Sequence, residues 1–214
     1  MVRRESFWLI APYATWMALM LALPATVVGY AIRTVAVAVL LAVGWARGKA
    51  TDFTDCHGLG GLANRRGDKS DARVARDSGA GVLIGLLVFA VWILPEQFDW
   101  AWYRQWCIVG EGGTRAVAEA SAAMIAVRLV GSAFVISVAE ELFFRKWLVG
   151  FAGFGWMVAL FAVEHDRWLV GAVAGAVYGL LCLRRGLFAA IVAHATTNLA
   201  LGAWVLCTGQ WRFW

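Results

Sequence analysis

Apolar residues run in long blocks along this chain, at 7–23, 25–45, 79–94, 116–139 continuing to 149, 152–163, 168–183 and 187–207. A helix rising ~1.5 Å per residue needs ~20 such residues to cross a ~30 Å hydrocarbon core. The pattern therefore predicts an all-α transmembrane bundle of about seven spans, with an error of one, forming a single membrane domain over 1–214. Two blocks are short for that thickness. The shortest, 152–163, runs into Glu164-His165-Asp166-Arg167. A helix that stops on ionisable residues implies a water-filled cavity there, because lipid cannot satisfy such an end. The one long polar stretch, 46–78, is rich in Gly, Asp and Arg and reads as a loop, with His57 an ordinary surface residue.

Composition agrees with the pattern. With 62% hydrophobic and 15% charged residues and a mean hydropathy of +0.70, the chain falls in the integral-membrane class. Two aromatic clusters, Trp100-Ala-Trp102-Tyr103-Arg-Gln-Trp106 and Trp211-Arg-Phe213-Trp214, read as interfacial belts. The net charge of +5 sits at block ends rather than in a patch suited to nucleic acid. Placing Arg3-Arg4, loop 46–78, Arg145-Lys146 and Arg184-Arg185 on the cytoplasmic side is self-consistent, and puts the N-terminus inside and the Trp211–Trp214 tail outside. Arg3-Arg4 before an apolar run has the look of a signal peptide, but the run reaches residue 23 and another follows, which favours an uncleaved first span. The four cysteines include no C-x-x-C pair and no matching spacing, which argues against a disulfide framework and against a zinc finger.

The chemistry lies in 116–207, where ionisable residues interrupt the apolar blocks. Each costs ~2.5–3.5 kcal/mol at membrane depth on insertion scales, so such residues face a protein interior and serve a purpose. Glu140 and Glu141, being helical neighbours, point ~100° apart and take different jobs. Glu141 and Arg145 are spaced i,i+4 in the favourable order for an ion pair, which leaves Glu140 to face the cavity. A structural Glu–Arg lock between helices explains Glu141 and Arg145 and leaves Glu140 unexplained. The same spacing puts Phe161 and His165 on one face, and His194 and Asn198 on another. Measured from turns near 150–153 and 184–186 at ~1.5 Å per residue, Glu140 lies ~15 Å deep, His165 ~18 Å, His194 ~12 Å and Asn198 ~18 Å. One depth shared by residues of separate helices predicts a site.

The parts fit peptide-bond hydrolysis. Glu140, aided by His165, would deprotonate a water, and His194 with Asn198 would steady the oxyanion, a contribution of ~3–4 kcal/mol per donor. No cofactor is required by this scheme. Glu140, His165 and His194 can equally form a single zinc site with an open position, and spacing does not separate the two.

At these residues the chain resembles the CAAX-protease and bacteriocin-processing family of intramembrane endopeptidases. The matching motifs are Glu140-Glu141-Leu-Phe-Phe-Arg145, Phe161-Ala-Val-Glu-His165 and His194-Ala-Thr-Thr-Asn198, in the family's order. The wording around Glu164–Trp168 and the tail from Gly209 is similar to the bacterial subgroup associated with exosortase systems. The resemblance implies Glu140 as general base, His165 as its partner, His194 and Asn198 as the oxyanion hole, and Glu141, Arg145 and Phe161 as supporting residues. It further implies a multi-pass protein of a bacterial inner membrane, acting on a membrane-anchored protein or peptide within the lipid bilayer. Two rivals remain open at this point. One is a non-catalytic membrane scaffold or bacteriocin-immunity factor, which would not require Glu140. The other is a proton-coupled transporter, disfavoured because no pair of interrupted helices recurs in matching halves.

Overall fold

The computed structural model describes residues 4–48, 71–109 and 121–213. The described residues form eight helices: α1 (Arg4–Ala22), α2 (Val27–Ala46), α3 (Asp71–Gln97), α4 (Ala101–Cys107), α5 (Ala122–Ala152), α6 (Phe154–Val163), α7 (Trp168–Arg185) and α8 (Leu187–Thr208). A 3-10 turn, Trp211–Phe213, follows. Five of them, α2, α3, α5, α7 and α8, are long and apolar enough to cross a membrane, and α1 and α6 are shorter apolar helices. The chain is a multi-pass, all-α membrane protein. Within the described residues the seven expected apolar blocks are largely helical, and α6 is the shortest of their helices, as the sequence predicts, whereas 79–94, expected to be short, lies inside the 27-residue α3. The polar stretch 46–78 lies largely outside the described residues, His57 with it, and α3 already begins at Asp71.

Tight turns set the helices side by side. Gly153 and Gly186 adopt φ of 88° and 93° between α5 and α6 and between α7 and α8, a region that L-residues with a Cβ seldom enter. Thr26 caps α2 by accepting from the Gly29 amide.

The centre of the bundle is the parallel pair α3 and α8. With no hydrophobic drive between helices in lipid, close backbone approach through small residues supplies the packing. A Cβ on Gly81 would stand 2.8 Å from the Ala189 carbonyl oxygen, and one on Gly85 2.4 Å from that of Ala193. Thr197 of α8 donates to the Gly85 carbonyl across this seam at 2.8 Å. α5 and α7 pack on either side, and the buried core of Phe144, Leu148, Met157, Phe161, Tyr178 and Leu187 fills the space between them.

Candidate active site

α5 supplies the acids. Ser121 caps its start by accepting from the Met124 amide, and its course widens into π-helical stretches at Gly131–Ile136 and Leu142–Leu148. The α-helical piece Ser137–Glu141 between them carries both glutamates. Such widened turns re-aim the side chains beside them and recur at functional sites.

The two glutamates flank one imidazole. Glu141, fully buried, accepts from His194 Nδ1 at 2.9 Å through Oε1, and its Oε2 lies 3.1 Å from Arg145 Nε. Glu140 Oε2 lies 3.6 Å from Nε2 of the same histidine and has no hydrogen-bond partner. With Nδ1 donating to Glu141, the Nε2 of His194 is the nitrogen turned to Glu140. The Tyr178 ring stacks on the imidazole at 5.1 Å and 20°, and its hydroxyl donates to Thr197 Oγ1 at 2.7 Å, so ring and helix hold His194 together.

Arg145 is buried with no hydrogen bond to either terminal nitrogen. Aromatic faces take the place of water around it: Cζ stands 4.2 Å from the Phe161 ring centre, 5.6 Å from that of Phe144 and 5.7 Å from that of Tyr178. Phe161 also lies 4.7 Å from the His165 ring and 5.9 Å from that of His194. One phenyl therefore touches the guanidinium and both imidazoles.

His165 sits just beyond the end of α6. Its Nδ1 lies 2.7 Å from the Phe161 carbonyl oxygen. A carbonyl only accepts, so Nδ1 carries the proton and the lone pair is on Nε2. Glu164 accompanies it: Oε2 accepts from the Tyr13 hydroxyl of α1, while Oε1 has no hydrogen-bond partner. Glu140, Glu164 and His165 offer ligand atoms that all lie within 4.8 Å of one another.

Asn198, one turn beyond His194, donates through Nδ2 to the Ser132 carbonyl at 2.9 Å and to Ser137 Oγ at 3.1 Å. Ser137 Oγ in turn donates to the Ser132 carbonyl at 2.9 Å. The two serines thus anchor α8 to the widened turn of α5. A cavity of about 350 Å³ is lined by Glu164, His165, Tyr178, His194 and Asn198 among others.

The structure brings Glu140, His165 and His194 together from three elements, with Asn198 one turn along α8 on the same cavity as His165 and His194, and with Glu141, Arg145 and Phe161 around them. It differs from expectation in three respects. Glu141 binds His194 as well as Arg145. Glu164 joins Glu140 and His165 within ligand reach, a set that does not include His194, whose Nε2 stays turned to Glu140. The amide hydrogens of Asn198 are engaged by Ser132 and Ser137. Glu164 was visible in the sequence as the ionisable end of a short helix. Tyr13 and Tyr178 carry no motif and come into view only through tertiary contact.

Residues 121–200 match the model of the Rce1-like family, described as type II CAAX prenyl endopeptidase Rce1-like. The three motifs fall within that span, and the match speaks to the family rather than to the exosortase-associated subgroup. No curated protein and no solved structure matches the chain significantly.

Proposed function

With residues 121–200 Rce1-like, we propose that the chain is an intramembrane endopeptidase, hydrolysing a peptide bond in a membrane-anchored protein or peptide. The observation that carries this reading is Glu140 facing His194 Nε2 at 3.6 Å, with His194 itself lining a cavity that Glu164, His165 and Asn198 also face. Glu140 takes a proton from water as the water oxygen bonds to the substrate carbonyl carbon, with His165 Nε2 accepting from the same water and orienting it. The proton passes to His194 Nε2, converting that ring into a cation with Glu141 behind it. As an imidazolium, His194 donates to the oxyanion. Asn198 joins as a donor by exchanging one of its two serine-side acceptors. Collapse of the tetrahedral carbon breaks the C–N bond, and the stored proton goes to the departing amine.

One observation favours a second reading. Glu140 Oε2 and Glu164 Oε1 are buried without hydrogen-bond partners, and with His165 they supply the two oxygens and one nitrogen suited to zinc. A divalent cation held by Glu140, Glu164 and His165 would lower the pKa of a bound water.

The test is cleavage of a membrane-anchored candidate peptide by purified protein, with and without chelator. Glu140→Ala, His165→Ala and His194→Ala should each abolish cutting while the protein still inserts and elutes as wild type. Wild-type rates in all three would overturn the mechanism, and a Glu140→Gln chain with full biological activity would favour a scaffold. The expected rate is unchanged by chelator; its loss on chelation, with recovery on adding zinc, would replace the first reading by the second.

A further inference from the structure

Glu140 and His194 stand on helices, whereas His165 does not. Glu140 lies in the α-helical piece Ser137–Glu141 and His194 within α8, so helical hydrogen bonds fix where each side chain begins. α6 ends at Val163, and His165 falls in the link between it and α7. Its local bonds are two, from its amide to the Ala162 carbonyl at 3.1 Å and between Nδ1 and the Phe161 carbonyl at 2.7 Å. A reactive group must hold its place to ~0.5 Å, and a link holds a side chain less firmly than a helix does.

The residues on either side of His165 are tied down from elsewhere in the chain. The Tyr13 hydroxyl of α1 donates to Glu164 Oε2. The Val109 amide donates to the Asp166 carbonyl at 2.7 Å, and Ile108 forms a β-bridge with Arg167. Arg167 Nε donates to Glu96 Oε1 of α3. Trp92, also of α3, meets the imidazole itself edge-on at 5.4 Å between ring centres. None of these partners belongs to the span 121–200 that matches the Rce1-like family.

The ties are themselves braced. The Tyr13 ring stacks on Phe143 of α5 at 4.5 Å and meets Phe144 edge-on at 5.3 Å, which fixes the direction of its hydroxyl. Glu96 is buried, and its Oε2 lies 2.9 Å from Arg212 Nε. Phe213 sits against both guanidiniums, its ring centre 4.9 Å from Cζ of Arg167 and 5.0 Å from that of Arg212. The end of α3 and the terminal turn therefore grip the backbone just past His165.

We propose that Tyr13 and Glu96 are positioning residues for His165, acting through Glu164 and Arg167. The helices that precede the family span are then part of the site rather than an anchor beside it. Tyr13 gives the sharper test, because its hydroxyl can be removed while its ring stays on Phe143. A misplacement of ~1 Å at a reacting group can cost ~10²-fold in rate. The effect on turnover rests on the endopeptidase reading, but the placement of His165 does not.

The experiment reads that placement directly. The chain has three histidines, few enough for each ring to be resolved by NMR of the full-length protein in detergent with labelled histidine. Loss of a signal in His165→Ala and in His194→Ala assigns the two rings. In Tyr13→Phe and in Glu96→Gln the His165 signal should shift or broaden while that of His194 stays in place. Adding Tyr13→Phe to Glu164→Gln should move the His165 signal no further than Glu164→Gln alone. Both single variants should cut with kcat lowered on the order of 10–100-fold and KM close to wild type. Tyr13→Phe leaves every charge in place and should keep the wild-type melting midpoint, so it decides the question if Glu96→Gln, which strips Arg167 and Arg212 of their counter-charge, does not fold. A His165 signal unmoved in either folded variant overturns the proposal. So does equal movement of both histidine signals, or a wild-type kcat in Tyr13→Phe. The expected shifts in a chain that cuts no peptide would remove the endopeptidase reading and leave the positioning of His165 standing.

Discussion

Glu141 carries the heaviest load of any single residue, because His194 and Arg145 both depend on it. Replacing it with Gln keeps the shape but loses the charge that orders the imidazole and balances the guanidinium. Outer partners of functional histidines change activity on the order of 10–100-fold when altered, and the cleavage rate of Glu141→Gln should fall by about that factor. The drop should appear in kcat rather than KM, since Glu141 lies behind His194 and away from the cavity. Arg145 is different in kind. Removing one partner of a buried pair commonly costs ~3–5 kcal/mol, so Arg145→Ala should lower the thermal midpoint in detergent as well as the rate. Arg145→Lys should recover part of the stability and little of the rate, because an ammonium does not lie flat on Phe161 as a guanidinium does. A midpoint for Arg145→Ala equal to wild type would show that the pair contributes nothing to the fold.

Among the elements, the α3–α8 seam governs where His194 stands. Gly85→Val would drive a side chain into the Ala193 carbonyl and Thr196. Overpacking typically costs ~1–3 kcal/mol, and a shift of α8 at that level moves His194, the next residue, away from Glu140. The variant should therefore lose stability and cleavage together; an unchanged melting midpoint would mean that α8 adjusts freely. This seam was only partly legible in the sequence. The apolar blocks fixed where helices lie, since lipid permits little else, and the shortness of α6 foretold the polar pocket at its end. Which helices pair was not legible, because an i,i+4 argument sees one helix at a time. It found Glu141–Arg145 and missed Glu141–His194, fifty-three residues apart. The π-helical stretches beside Glu140 were equally hidden, as the residues from Leu142 to Leu148 have no composition that asks for a wider turn.

For the whole molecule, the size of the cavity limits what it can enclose. Its volume of about 350 Å³ lies at the low end of the ~300–1,000 Å³ typical of ligand pockets. Only a short stretch of a polypeptide is then held at once, and the rest of the chain stays outside. A peptide pared down to that stretch should compete with the full substrate, seen as a rising apparent KM with constant kcat when it is added. Purely non-competitive inhibition would point to a second binding place.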